Sequence, residues 1–98
     1  MEFQSVEWPS MWYPTDAQVL VDELKREGSR GHVLHDEEVS TIARCDDGDD
    51  VLYFLVNKNS FAVVHLTWAN QPESPPWPMT KIFKTFDEFA AENFDDQE

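Results

Sequence analysis

The sequence predicts an α+β domain: an antiparallel meander of three to four strands, with an N-terminal helix and a short C-terminal helix. Three observations carry this reading. Val51-Leu52-Tyr53-Phe54-Leu55-Val56 and Phe61-Ala62-Val63-Val64-His65-Leu66-Thr67-Trp68 are β-branched and aromatic runs around the turn formers Asn57-Lys58-Asn59-Ser60. That is the composition and punctuation of a β-hairpin. Val39-Ser40-Thr41-Ile42-Ala43-Arg44-Cys45 alternates weakly and leads into the hairpin through Asp46-Asp47-Gly48-Asp49-Asp50. Two apolar stripes at helical spacing, Ala17/Leu20/Val21/Leu24 and Phe86/Phe89/Ala90/Phe94, flank the strand region.

The elements follow in order along the chain. Residues 1–14 hold Trp8-Pro9 and Trp12-Tyr13-Pro14, and prolines at this spacing forbid a long helix. This stretch reads as an irregular arm whose Trp8, Met11, Trp12 and Tyr13 pack onto the domain. Thr15-Asp16-Ala17-Gln18 fits a capping box, so a helix is expected from about Asp16 to Glu27. Its outer side carries Asp22, Glu23, Arg26 and Glu27, and Gly28 is the expected stop.

Both hairpin runs are apolar at positions of both parities, so both faces of the sheet need cover. Simple antiparallel pairing places Cys45 opposite Val51 and Val56 opposite Phe61. One face then carries Ile42, Arg44, Leu52, Phe54, Phe61, Val63 and His65. The other carries Thr41, Ala43, Cys45, Val51, Tyr53, Leu55, Val64, Leu66 and Trp68. A one-residue slip would exchange these sets. Residues 69–78 hold four prolines and form a stiff loop. Residues 79–84 suit a short edge strand. Thr85-Phe86-Asp87-Glu88 is a second capping box, and the acidic residues 95–98 are a fraying tail. The 98 residues make one domain, and no internal repeat is visible.

The chain carries a formal charge of −13. Contact with nucleic acid or an anionic membrane needs Lys and Arg to neutralise phosphate, so neither is an expected partner. A basic protein surface is the complementary one, and solubility alone is the competing explanation of the acidity. Asp46, Asp47, Asp49 and Asp50 are the candidate partner-binding residues. A single cysteine, Cys45, excludes an internal disulfide. The chain opens Met-Glu, with no basic stretch leading into an apolar one, and no apolar run nears the ~20 residues of a membrane span. A cytoplasmic, reduced setting is the simplest expectation. The sequence leaves the oligomeric state open.

The histidines are the candidates for catalytic and metal chemistry. His32-x-x-His35 before Asp36-Glu37-Glu38 has the ingredients of a metal site, with His65 as a third nitrogen. It lacks the helical His-Glu-x-x-His arrangement. The simpler expectation is that His32 closes the helix end and His35 is solvated. His65 lies mid-strand among apolar neighbours, opposite Leu52 on the register above. It is expected to be a buried structural histidine, with general-base work the weaker alternative. Cys45 and His65 are expected on opposite faces, which disfavours a thiol nucleophile. The turn at 46–50 lacks the ligand register of a calcium loop. With three glycines and no phosphate-binding loop, no cofactor is expected.

The stretches Gly31-His32-Val33-Leu34, Ala62-Val63-Val64-His65-Leu66-Thr67-Trp68 and Trp77-Pro78-Met79-Thr80 together resemble a family of small uncharacterised bacterial proteins. The resemblance covers residues 15 to about 90 and departs at Val33, where the family has proline. It implies an α+β fold and a bacterial source, and it brings no established activity.

The sequence thus favours a small acidic protein-interaction domain. Immunity proteins and antitoxins are of this type by size and charge, an analogy that does not establish function. The alternatives are a housekeeping or oligomeric domain without a charge-driven partner, and an enzyme using His65.

Overall fold

The computed structural model describes residues 8, 12–28, 32–46, 48–68 and 78–93. It is an α+β fold built on one antiparallel five-stranded sheet in the order β1-β2-β3-β4-β5. The elements are β1 (Trp12–Pro14), α1 (Gln18–Glu27), β2 (Val39–Cys45), β3 (Asp50–Leu55), β4 (Ser60–His65), β5 (Thr80–Phe83) and α2 (Phe86–Asn93). The pairing of 39–45 with the hairpin and the edge strand near 80 agree with the sequence. The strand count is higher than expected because part of the aromatic arm is itself a strand. Trp12, Tyr13 and Pro14 pair with Cys45, Arg44 and Ala43. Pro14 is tolerated there because β1 is an edge.

Strand β3 explains the layering. Val51, Leu52, Tyr53 and Leu55 are all buried, so adjacent residues pointing to opposite faces both need partners. On one face, Val51, Tyr53, Leu55, Ala62, Val64 and Leu66 pack with Leu20, Val21 and Leu24 of α1. On the other, Leu52 and Phe61 pack with Trp12, Phe83 and Phe89, with Phe86 at the margin. The helices therefore cover opposite faces. Phe89 is fully buried and meets Trp12 and Phe83 edge-on, at centroid distances of 5.3 and 6.0 Å.

The expected registers need two corrections. In the hairpin, Phe54 rather than Val56 lies opposite Phe61. That two-residue shift leaves every side chain on its expected face. Between β2 and β3 the pairing passes from Thr41↔Tyr53 to Ala43↔Leu52, leaving Ile42 as the extra residue of a bulge. Beyond it the faces exchange. Ala43 and Cys45 join the α2-side core with Ile42, whereas Arg44 pairs with Val51 on the α1 side.

The helix ends also differ from one another. The N-cap of α1 is Ala17, without a side-chain cap. Thr15 is drawn into the sheet instead, donating its N–H to the Ile42 carbonyl at 3.0 Å, while Gln18 bonds to Asp22. At the other end the Gly28 N–H reaches the Leu24 carbonyl at 2.9 Å. A Cβ on Gly28 would lie 3.2 Å from that oxygen, so the position is tight rather than left-handed. The second capping box forms. Thr85 Oγ1 accepts the Glu88 N–H, and Glu88 reaches back to the Lys84 N–H, both at 3.1 Å.

Replacing Phe89 by alanine removes a ring that contacts both edges of the α2-side core. We expect a loss of about 3–5 kcal/mol in urea unfolding. A loss below about 1 kcal/mol would show that α2 is peripheral to the fold.

Candidate functional site

The chemically distinctive residues gather at the end of the sheet that holds the β2–β3 turn. They begin beneath α1. Glu23 and Glu27 are one helical turn apart and have 1% and 0% of their surface exposed. They point into the domain because the buried stripe of α1 runs Leu20, Glu23, Leu24 and Glu27. Glu23 is ion-paired with Arg26. Glu27 receives the backbone N–H of Thr67 on Oε1 at 3.0 Å and that of Trp68 on Oε2 at 2.7 Å. One carboxylate thus caps two successive amides just after β4.

That bond fixes an unusual backbone. Trp68 has φ 57°, left-handed for a bulky side chain, a conformation costing about 1–3 kcal/mol. The Trp68 ring is 39% exposed and lies over the Arg44 guanidinium, 5.6 Å from the ring centroid. Arg44 reaches this side because of the bulge. Tyr13, exposed and paired with Arg44 across β1–β2, lies on the same face. Asp46 and Asp49 lie in the β2–β3 turn and Asp50 opens β3, and Leu66 N–H bonds the Asp49 carbonyl at 3.1 Å. Asp47 lies outside the described residues.

Burial, and then the neighbouring Glu23 carboxyl, raise the Glu27 pKa, and the two amide bonds together with the Thr67 hydroxyl only partly offset this. Tyr53 lies under the same helix. Its hydroxyl donates to the Leu20 carbonyl at 2.6 Å. Burial first, then Glu27 and Glu23, push the phenol well above its ordinary value, so it stays a neutral donor.

The histidines take separate places. His32 is buried, and its bonds go to the following loop and to the start of β5 rather than to the end of α1. Its Nδ1 accepts the Leu34 N–H at 3.0 Å, and its Nε2–H donates to the buried Pro78 carbonyl at 2.8 Å. Both ring nitrogens are occupied in joining the loop to the start of β5. His35 sits on the surface, 3.5 Å from Asp36. His65 is far from both metal candidates in role and overturns its own expectation. It pairs with Asp50 rather than Leu52, its side chain is 53% exposed, and Nδ1 lies 2.9 Å from Asp50 Oδ1. The two-residue hairpin shift moves it to the strand end, beyond the cover of α2.

Cys45 now shares the α2-side face with His65, with β3 between their strands. Among the described residues, no group of three or more His, Cys, Asp or Glu is placed to hold a metal ion. Among the same residues, no helix is long and apolar enough to cross a membrane.

Sequence reasoning missed Glu23 and Glu27, which it placed on the outer side of α1. The apolar stripe there is narrow, and acids one turn apart on an acidic helix look like a solvated face. Compared with known proteins, the chain matches no family model, no curated protein and no solved structure.

Two substitutions separate these roles. Tyr53→Phe keeps the ring and removes the hydroxyl's additional bond to the Leu20 carbonyl, and is expected to cost about 0.5–1.5 kcal/mol in chemical denaturation. His65→Gln changes a half-exposed side chain and is expected to stay within about 0.5 kcal/mol of the parent. The reverse order of these losses would contradict the burial described here.

Proposed function

We propose that the chain is a small protein-interaction domain that recognises a basic partner through the β2–β3 end of the sheet. The observation that carries this is the fixed presentation of Trp68 beside an acidic turn. Glu27 holds its backbone in a disfavoured conformation, Arg44 lies against its ring, and the turn that carries Asp46 and Asp49 closes the same end of the sheet, with Asp50 turned to His65 on the opposite face. An aromatic anchor held in advance lowers the ordering cost of association, and tryptophan is enriched among residues that dominate binding energy. Acids around it steer a cationic partner and speed encounter.

The remaining acids favour this end over others. Asp36, Glu37 and Glu38 precede β2 and so lie at its opposite end, about 23 Å away along a seven-residue strand. Glu37 is paired with Lys58 there, and on α2 Glu92 is paired with Lys81. Among the described residues the exposed acids are thus spread over the two ends of β2, α1 and α2. An immunity-type or antitoxin-type antagonist of a basic protein is the specific form of the reading, and a cytoplasmic setting and the likeness to small bacterial proteins belong to the same proposal.

A second reading is a general-base site at His65. Its support is the His65–Asp50 pair, in a shallow recess of about 340 Å³ lined by Val63, Met79, Thr80 and Lys81. That bond uses Nδ1 and supplies only the orienting arm of such a site; among the described residues no hydroxyl or thiol is hydrogen-bonded to Nε2. The recognition surface is the better supported of the two.

The test is capture from the native host with the parent chain, with D46K/D49K/D50K and with Trp68→Ala, each confirmed as folded by circular dichroism. A specific partner is expected to be retained at low salt and released at high salt. It should be lost with the triple reversal and weakened at least about tenfold by Trp68→Ala. Affinity indifferent to salt and to all these changes would remove the reading. Saturable binding of nucleic acid at physiological salt would overturn it as well.

A further inference from the structure

The buried acids of α1 have a consequence beyond positioning one tryptophan. We propose that Glu23 and Glu27 form a proton-sharing carboxyl pair that switches the Thr67–Trp68 backbone between a clamped and a released state. The geometry requires ionised Glu27 for the clamp. Both of its oxygens accept an N–H, at 3.0 and 2.7 Å, and a protonated carboxyl has one strong acceptor oxygen instead of two. Opposing ionisation, Glu27 is buried and within hydrogen-bonding reach of the equally buried Glu23. Two carboxylates so placed cannot both ionise freely, and one proton held between them relieves the repulsion.

The surrounding charges set the balance. On α1, Arg26 pairs with Glu23 and favours its ionised form, which directs the shared proton toward Glu27. From β3, Tyr53 faces both acids with its hydroxyl committed to the Leu20 carbonyl. From β2, Arg44 is the cation on this side of the sheet and lies against Trp68. Leu66, Thr67 and Trp68 contribute no ionisable side chain. Falling pH therefore adds a proton where the two amides are held. With the charge gone, the left-handed Trp68 backbone loses the bond that holds it, and the ring is released from Arg44.

Release is distinct from unfolding, because the signs are opposite. The folded chain holds the Glu27 proton more tightly than the unfolded chain does. The pair therefore adds stability below the ordinary carboxylate range and loses that contribution as pH rises through the folded value. Acid loosens the clamp while this pair strengthens the fold. The clamp stands on its own geometry; only its use in presenting Trp68 to a partner rests on the interaction reading.

The experiment needs no partner. The Thr67 and Trp68 amide resonances and the Glu27 carboxyl carbon are followed by NMR through a pH titration of the full chain. They are expected to shift together, with a midpoint above the ordinary glutamate value of 4.5. In Glu23→Gln the midpoint should fall, because the amide donates to ionised Glu27 in place of the competing acid. In Glu27→Gln the same two amides should lose their pH dependence. Amides that ignore the Glu27 titration, a midpoint at or below 4.5, or a midpoint unmoved by Glu23→Gln would each overturn the proposal. If Glu27→Gln does not fold, the parent and Glu23→Gln titrations still decide it.

Discussion

The structure depends on a central strand with no side that can face water. In β3, successive residues Val51, Leu52 and Tyr53 are fully buried, so neither face of the sheet is a solvent face. An antiparallel sheet often leaves one face wet, and this one has lost that option. A short chain must then supply two separate covers. It uses ten residues of α1 on one side and eight of α2 on the other, and adds Trp12 from the edge strand β1. The aromatic content of the chain is concentrated in the α2-side cover, where Trp12, Phe61, Phe83, Phe86 and Phe89 meet edge-on or tilted. Large rings let a two-turn helix bury enough area to hold its place.

The α1 side solves a different problem. Its core is aliphatic apart from Tyr53, and at its edge the chain leaves β4 with amides that are bonded outside the sheet. The Glu27 carboxylate takes two of them, and Tyr53 takes a carbonyl of the helix itself. These bonds tie α1 to the sheet at points that apolar contact does not fix. A buried acid is an expensive way to do this, since charge leaves water and is only partly repaid by hydrogen bonds. The cost is reflected in the raised proton affinity of Glu27. A group that stabilises one backbone conformation only when ionised, in a place that disfavours ionisation, is by construction responsive to pH. The same bonds hold Trp68 on the surface, which links the energetics of the core to the candidate recognition face.

The bulge at Ile42 has a comparable reach. By inserting one residue into β2 it turns Ala43 and Cys45 into the α2-side core and sends Arg44 to the α1 side. Without it, Arg44 would face Phe61 and Leu52, and the Trp68 ring would have no cation beneath it. One local irregularity therefore decides both the composition of a core and the charge of a surface. It also brings Cys45 to the face that carries His65, with the whole of β3 between their strands.

What the sequence determined by itself was whatever depends on short-range pattern. The hairpin, the strand before it, the helix stripes, the Thr85–Glu88 cap and the need to cover both faces all follow from neighbours within a few residues. Propensity and side-chain period act at that range. Tertiary structure decided what depends on pairing between distant segments. The bulge is marked by no glycine or proline in Val39–Cys45, and only the competition of both sheet faces for Ile42 and Ala43 places it. The hairpin register moved His65 from an apolar row to the side of Asp50, because the turn closed at Val56–Asn59 with Asn59 in the left-handed region. The Thr15 N–H went to the Ile42 carbonyl because an edge strand formed beside it, and its Oγ1 accepts the Ala17 N–H ahead of the helix. Above all, Glu23 and Glu27 carry the same letters as solvated acids. Glu27 became a buried partner through residues some forty positions later, whose amides it receives, and the energy of that bond belongs to both segments at once.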